Sequence, residues 1–233
     1  MSDLKKTLKK TWNFIWNDDS LLSWVVNIVL AFLLIKFIIY PGIGFLLGTS
    51  HPIVAVVSGS MEHKTVHPCE SYNPFLNKCV EKDKSRYWIC DEYYSSKQDV
   101  DFDFYWQACG DWYEETSITK EEFSGYSFKN GFNTGDIIVL KGTPPERIEK
   151  GDVIVFYASK SYPIIHRVVE KRYENDSLFF TTKGDHNAKP GSDDTNIRSE
   201  NIIGKAVFRI PYVGWIKIGA YRAVQNIMQV LPI

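Results

Sequence analysis

A serine hydroxyl becomes a competent nucleophile only when a base lies within hydrogen-bond reach and donors face the oxyanion that develops on the attacked carbonyl. Ser60 ends an apolar, β-branched run, Pro52-Ile53-Val54-Ala55-Val56-Val57, within the turn-favouring residues Ser58-Gly59-Ser60-Met61. Gly59 allows a sharp turn and close approach of a substrate, and Ser58 brings a second hydroxyl to the same place. His166 is the one imidazole in the β-forming run Pro163-Ile164-Ile165-His166-Arg167-Val168-Val169. Period-two alternation puts Ile164, His166 and Val168 on one face, directed toward the interior. An acid is needed to hold the imidazole tautomer and to stabilise the imidazolium as it forms. Thr182-Lys183-Gly184-Asp185-His186-Asn187 and Ser192-Asp193-Asp194 offer three carboxylates for that role, Asp185, Asp193 and Asp194. Each feature alone reads as something plainer: a turn at a strand end, a buried structural histidine, ordinary Gly-Asp turn chemistry. Together they are the parts an acyl-transfer site requires.

Metal chemistry has less support. His63 and His67 lie four apart with Cys69 nearby, but a solvated, flexible segment is the reading favoured for them, and His51 and His186 stand apart. Cys69, Cys79, Cys90 and Cys109 contain no Cys-x-x-Cys pair, and spacings of 10, 11 and 19 fit no common zinc module. Two disulfides are expected instead, in any of three connectivities. Asp99-Val100-Asp101-Phe102-Asp103-Phe104 fails as a calcium loop, with Phe104 at the glycine position and Gly110 at the bidentate one. Its alternation predicts a strand with one solvated face.

The elements that must carry these residues follow from hydropathy and punctuation. Residues 21–40 hold Asn27 and Lys36 as their only strongly polar side chains, and about 20 apolar residues cross a bilayer core. A transmembrane anchor is therefore expected at 21–47, broken at Pro41, Gly42 and Gly44. A cleaved secretory signal is the weaker reading, because the run is too long and no small-x-small site follows closely. Lys5, Lys6, Lys9 and Lys10 make residues 1–20 a basic, cytoplasmic tail and send the rest outward. Strand signals at 137–140, 153–157, 164–169, 178–182 and 202–210, separated by Gly, Pro and Asp turns, predict an antiparallel β core over 48–61 and 132–212. Residues 62–131 have a different character, rich in Tyr, Trp, Cys and acid, with twelve acids against five bases between Glu81 and Glu122. They read as an extracytoplasmic insertion in a surface connection. At 213–233 an amphipathic helix is expected on the membrane surface rather than a second span, which would bury Lys217 and Arg222; a packed terminal helix is the plainer alternative. The fold class is thus mainly β with one N-terminal transmembrane helix. At 233 residues there is room for one catalytic core, and a net charge of −1 offers no field for nucleic-acid phosphates, so no nucleic-acid partner is expected.

The order of these boxes, an apolar anchor, Val57-Ser58-Gly59-Ser60-Met61-Glu62, paired Gly-Asp strand starts, Ile165-His166-Arg167-Val168, Thr182-Lys183-Gly184-Asp185-His186-Asn187 and finally Pro211-Tyr212-Val213-Gly214, resembles type I signal peptidases. With histidine where the bacterial branch carries lysine, it looks like the archaeal and endoplasmic-reticulum branch. The resemblance implies a membrane-bound serine endopeptidase of the cell membrane or an ER-type membrane, which removes signal peptides from exported preproteins after small residues and needs no cofactor or metal. It implies Ser60 as nucleophile, His166 as base, Asp194 as the acid with Asp185 also implicated, and Ser58 with the Ser60 amide as oxyanion donors. The turn-to-pair spacing is about two residues longer than the family pattern, which leaves the choice of acid open. Accessory membrane subunits or translocation machinery are further partners it suggests. His63 stands where the family has proline, and the insertion begins there. A non-catalytic tethered binding protein and a processing protease for other exported substrates are the rival readings.

Overall fold

A computed structural model of the chain describes residues 2–73, 78–159, 162–216 and 218–219. The chain divides into two compact units, residues 1–52 and 53–233. Of the amphipathic helix expected at 213–233, residues 214–216 and 218–219 are helical and nearly all the rest lies outside the described residues.

In the first unit the basic tail forms helix α1 (Ser2–Asn17). Leu4, Leu8, Trp12 and Trp16 recur every fourth residue along it and are exposed, an apolar stripe with lysines beside it. Helix α2 (Leu21–Leu34) starts at the N-cap Ser20, whose side chain accepts from the Ser23 amide. Asn27, the polar residue in the apolar run, donates to the Ile15 carbonyl at 2.8 Å, and Ser23 donates to Phe14 at 2.6 Å. These side chains satisfy carbonyls that the end of α1 leaves open. The break expected at Pro41 does not occur. A π-helical turn at Ile35–Ile39 leads into α3 (Tyr40–Leu47), with the proline in its first turn. The wider turn absorbs the missing proline N–H, so the helix continues. It stops at Gly48, whose φ of 65° is the left-handed conformation that ends helices. Residues Leu21–Leu47 thus make one apolar helix of 27 residues, about 40 Å at 1.5 Å per residue and enough to cross a bilayer.

The second unit begins with β1 (Ile53–Ala55). Two hairpins follow, β2 (Cys69–Asn73) with β3 (Lys78–Lys82), and β4 (Tyr87–Ile89) with β5 (Glu92–Tyr94). Next come helices α4 (Phe102–Glu115) and α5 (Lys120–Ser124), and then β6 (Ile137–Lys141), β7 (Val153–Phe156), β8 (Ile164–Glu174), β9 (Ser177–Lys183), β10 (Ile197–Arg198) and β11 (Ile202–Ile210). Seven strands form one antiparallel sheet in the order β1-β6-β11-β7-β8-β9-β10. Irregularities in β11 and between Val168 and Glu170 of β8 bend and curl it. The architecture is mainly β, as the pattern of short strands implies.

Strand β8 explains how the core is divided. Ile164 and Val168 pack into one cluster with Ile154, Phe156 and Phe180. Val169, from the opposite face, packs into a cluster of Tyr105, Trp106, Tyr113, Ile118 and Phe123. Residues 62–131, read as an insertion in a surface connection, thus contribute a buried core that Val169 of β8 joins, while Ile165 of the same strand face packs against a separate cluster with Val56 and Phe132. The strand expected at 99–104 is instead the start of α4. Asp101 caps it by accepting from the Phe104 amide at 2.8 Å, and the buried Tyr105, Trp106, Cys109 and Tyr113 recur at helical spacing. The disulfides are Cys69–Cys79, across the β2–β3 hairpin, and Cys90–Cys109, which ties the β4–β5 turn to α4.

Candidate active site

The apolar run that enters β1 delivers Ser60 to a turn held on several sides. The Val56 amide donates to the Asp136 carbonyl, and the Val56 carbonyl accepts from the Gly135 amide, both at 2.9 Å. The Glu62 amide closes the turn on the Gly59 carbonyl at 3.0 Å. The Glu62 carboxylate folds back to accept from the Thr134 amide at 2.8 Å. A Cβ at residue 59 would lie 2.9 Å from that carboxylate, so a larger residue there would have to displace the Glu62 side chain. Met61 is buried, and its carbonyl accepts from the Phe132 amide at 3.0 Å.

His166 lies on β8, opposite Ile154 of β7. Its Nε2 is 3.0 Å from Ser60 Oγ and its Nδ1 is 2.5 Å from Asp194 Oδ1. Asp194 lies in the 3-10 turn Ser192–Asp194 and also accepts from Thr182 Oγ1 at 2.6 Å and from the Gly191 amide at 2.8 Å. Burial pushes its carboxyl up, but the bonds from His166, Thr182 and Gly191 outweigh burial and leave it below the usual range. An ionised Asp194 can only accept, so Nδ1 carries the proton. In the neutral ring Nε2 then presents its lone pair to the Ser60 hydroxyl. Ser58 Oγ is 3.2 Å from Ser60 Oγ on the exposed side of the turn. Two hydroxyls, an imidazole and a carboxylate therefore meet at one half-open site, an arrangement suited to acyl transfer.

The other two carboxylates stand elsewhere. Asp193 accepts from Ser159 Oγ at 2.5 Å on the exposed surface. Asp185 is fully buried and faces Arg167, which donates to Oδ1 through Nε at 2.9 Å and to Oδ2 through a terminal nitrogen at 2.6 Å. The remaining donors of Arg167 reach the carbonyls of Ser127, Gly151 and Phe128. Burial alone would raise the Asp185 carboxyl, yet the guanidinium beside it holds it below the usual carboxylate range, which favours the charged pair.

Several participants carry no assignment from the sequence. Thr182 orients Asp194. The side chain of His63, expected in a solvated segment, is buried, stacked on Tyr105 at 3.6 Å and 3.1 Å from Asp185 Oδ2. Burial outweighs that carboxylate and lowers its imidazole. His67 donates instead to the Arg86 carbonyl, so the two rings do not converge. Lys183 is fully buried, with Nζ donating to Tyr113 Oη at 3.3 Å, and burial depresses its ammonium to about 7. A Cβ on Gly184 would lie 2.8 Å from the Ser60 carbonyl and 2.9 Å from His166 Nε2. Glycine next to Asp is the one sequence signal for this approach; the buried tyrosines give none, because their partners are far away in the chain.

No family model matches the chain. It is similar to signal peptidase I W of Bacillus subtilis, 39% identical over 85 residues, which is 35% of this chain and 44% of that protein. It is also similar to the catalytic subunit of the signal peptidase complex of Candida tropicalis, 30% identical over 102 residues, covering 40% of this chain and 59% of the relative. The human catalytic subunit of that complex is likewise 30% identical over 102 residues, 40% of this chain and 52% of the relative. The chain spans about half the length of the curated relatives it matches.

Proposed function

We propose that the chain is a membrane-anchored serine endopeptidase that removes signal peptides from exported preproteins. The observation that carries this reading is the continuous relay from Ser60 Oγ through His166 to Asp194, with contacts of 3.0 and 2.5 Å. Relatives named as signal peptidases support the substrate class. In the mechanism, Ser60 attacks the scissile carbonyl while His166 Nε2 takes the hydroxyl proton, and Asp194 stabilises the imidazolium. The Ser58 hydroxyl and the Ser60 amide receive the oxyanion. The imidazolium returns its proton to the leaving amine, and water, activated by the same ring, releases the acyl product. Strand β1 stands at the edge of the sheet five residues before Ser60. That edge supports binding of the cleavage segment as an added extended strand, with small residues before the cut.

The apolar helix Leu21–Leu47 anchors the enzyme, its lysine-bearing amino terminus on the cytoplasmic side and the catalytic unit on the other. A substrate tethered by its own apolar segment then meets the site at high effective concentration. Relatives that are subunits of a signal peptidase complex support accessory membrane subunits as partners. The test is incubation of the detergent-solubilised protein and its Ser60→Ala variant with a preprotein, followed by N-terminal sequencing of the product. Cleavage at the end of the signal peptide by the wild type alone is expected. An intact preprotein with both would overturn the reading in favour of a tethered binding protein.

A further inference from the structure

We propose that residues of the insertion, Tyr105 and the disulfide-bonded Cys90, are positioning residues for the catalytic serine, acting through the 184–187 turn. This inference rests on the peptidase reading and adds a role for residues 62–131 within it.

The turn after β9 lies directly against the reacting pair. The His186 amide donates to the Ser60 carbonyl at 2.8 Å, and His186 Nδ1 donates to the Glu62 carbonyl at 3.0 Å. His186 therefore clasps the serine's loop at two points. Gly184 is packed so closely that an added methyl would strike both the Ser60 carbonyl and His166 Nε2. Where the serine sits relative to its base depends on where this turn sits.

The carbonyls of the turn are held by the insertion. Tyr105 Oη, on α4, donates to the Asp185 carbonyl at 2.9 Å. The Cys90 amide donates to the His186 carbonyl at 3.2 Å. Tyr105 and the Cys109 partner of Cys90 lie one helical turn apart on α4, so the Cys90–Cys109 bond joins the two holding groups into one body. Tyr105 is fully buried and stacked on His63, which leaves its hydroxyl no freedom to follow a displaced turn. Two neighbouring peptide groups are thus fixed by the insertion, and a third hydrogen bond carries that placement to Ser60. The Cys69–Cys79 bond, in contrast, closes the β2–β3 hairpin, and among the described residues neither cysteine is bonded to the 184–187 turn.

The two disulfides give a comparison within one molecule. Cleavage of a preprotein is measured for the wild type, Tyr105→Phe, the double variant Cys90→Ser/Cys109→Ser and the double variant Cys69→Ser/Cys79→Ser, well below each unfolding midpoint. Tyr105→Phe keeps the ring, the stack and the packing and removes only the hydroxyl, with its 2.9 Å bond to the Asp185 carbonyl and its longer 3.4 Å contact to Tyr113 Oη. Loss of fixed placement is expected to lower its kcat about tenfold with KM nearly unchanged, since small misplacements of reacting groups cost up to about 100-fold. The Cys90/Cys109 variant is expected to lose at least as much kcat, whereas the Cys69/Cys79 variant keeps the wild-type value. Wild-type kcat in Tyr105→Phe overturns the proposal, as does an equal kcat loss from both disulfide variants. If the Cys90/Cys109 variant does not fold, Tyr105→Phe decides alone. Absence of cleavage by the wild type would instead refute the peptidase reading itself.

Discussion

Replacing Asp185 and Asp194 separately by asparagine distinguishes a carboxylate that holds the fold from one that serves the chemistry. Asp185 and Arg167 are both fully buried and joined by two short hydrogen bonds. In Asp185→Asn the new side chain would keep one acceptor oxygen and turn an amide N–H₂ toward the guanidinium, which would remain charged and buried with three carbonyls as its other partners. Breaking one side of such a pair costs about 3–5 kcal/mol. For a protein of this size that lowers the unfolding midpoint by roughly 6–20 °C. At a temperature where the variant is folded, turnover is expected to fall only about tenfold, through the turn's contact with Ser60. Asp194→Asn has the opposite profile. Asparagine keeps one acceptor oxygen, so it can serve Thr182 at Oδ1 or Gly191 at Oδ2 but not both, and it carries no charge to hold the imidazolium; the loss in kcat is on the order of 10⁴-fold with a smaller midpoint shift than in Asp185→Asn. The assay is thermal unfolding by near-ultraviolet circular dichroism in detergent, beside single-turnover cleavage of a preprotein. An unshifted midpoint with abolished turnover in Asp185→Asn is incompatible with this division of roles, because it would move the functional carboxylate to Asp185.

Three further outcomes follow from the geometry. Lys183 has a folded pKa of about 7 against an ordinary value of about 10.4, so between these the unfolded chain binds a proton that the folded chain lacks. Wild-type stability should therefore gain up to about 1.4 kcal/mol per pH unit from this group as pH rises from neutral to about 10. In Lys183→Met that contribution should vanish; equal pH slopes in denaturant unfolding of the two proteins would contradict the burial of the ammonium. Gly184→Ala should drive Ser60 and His166 apart and lower kcat by about 100-fold, and a wild-type rate would show that the turn is free to move. Ser58→Ala should cost about 10²-fold or more in kcat with little change in stability, as expected for an oxyanion donor, and equal turnover would remove Ser58 from that role.

The strands and the motif turns are legible in the sequence because their signals are local. An apolar run ending in Ser-Gly-Ser, one imidazole in a β-branched strand and Gly-Asp turns each announce themselves within ten residues. The choice among Asp185, Asp193 and Asp194 is not legible, since it depends on which side of β9 each turn faces. The structure separates them only by their neighbours: Arg167 for one, Ser159 for another, His166 for the third. Helix α4 is disguised because Asp99 to Phe104 alternates by accident at the point where an Asp101 cap begins a helix. The helical spacing of Phe102, Tyr105, Trp106, Cys109 and Tyr113 is the better signal. Pro41 misleads for a related reason: it falls in the first turn of α3, directly after a π-helical turn, where a proline is tolerated.

The proposed chemistry stands or falls on the single-turnover rate of preprotein cleavage by His166→Ala beside the wild type at neutral pH. Loss of the base should leave Ser60 an ordinary alcohol and lower the rate by about 10⁴-fold or more, with the fold retained. A rate near that of the wild type would be irreconcilable with the relay, because the hydroxyl of Ser60 would then be activated by some group other than the imidazole 3.0 Å away.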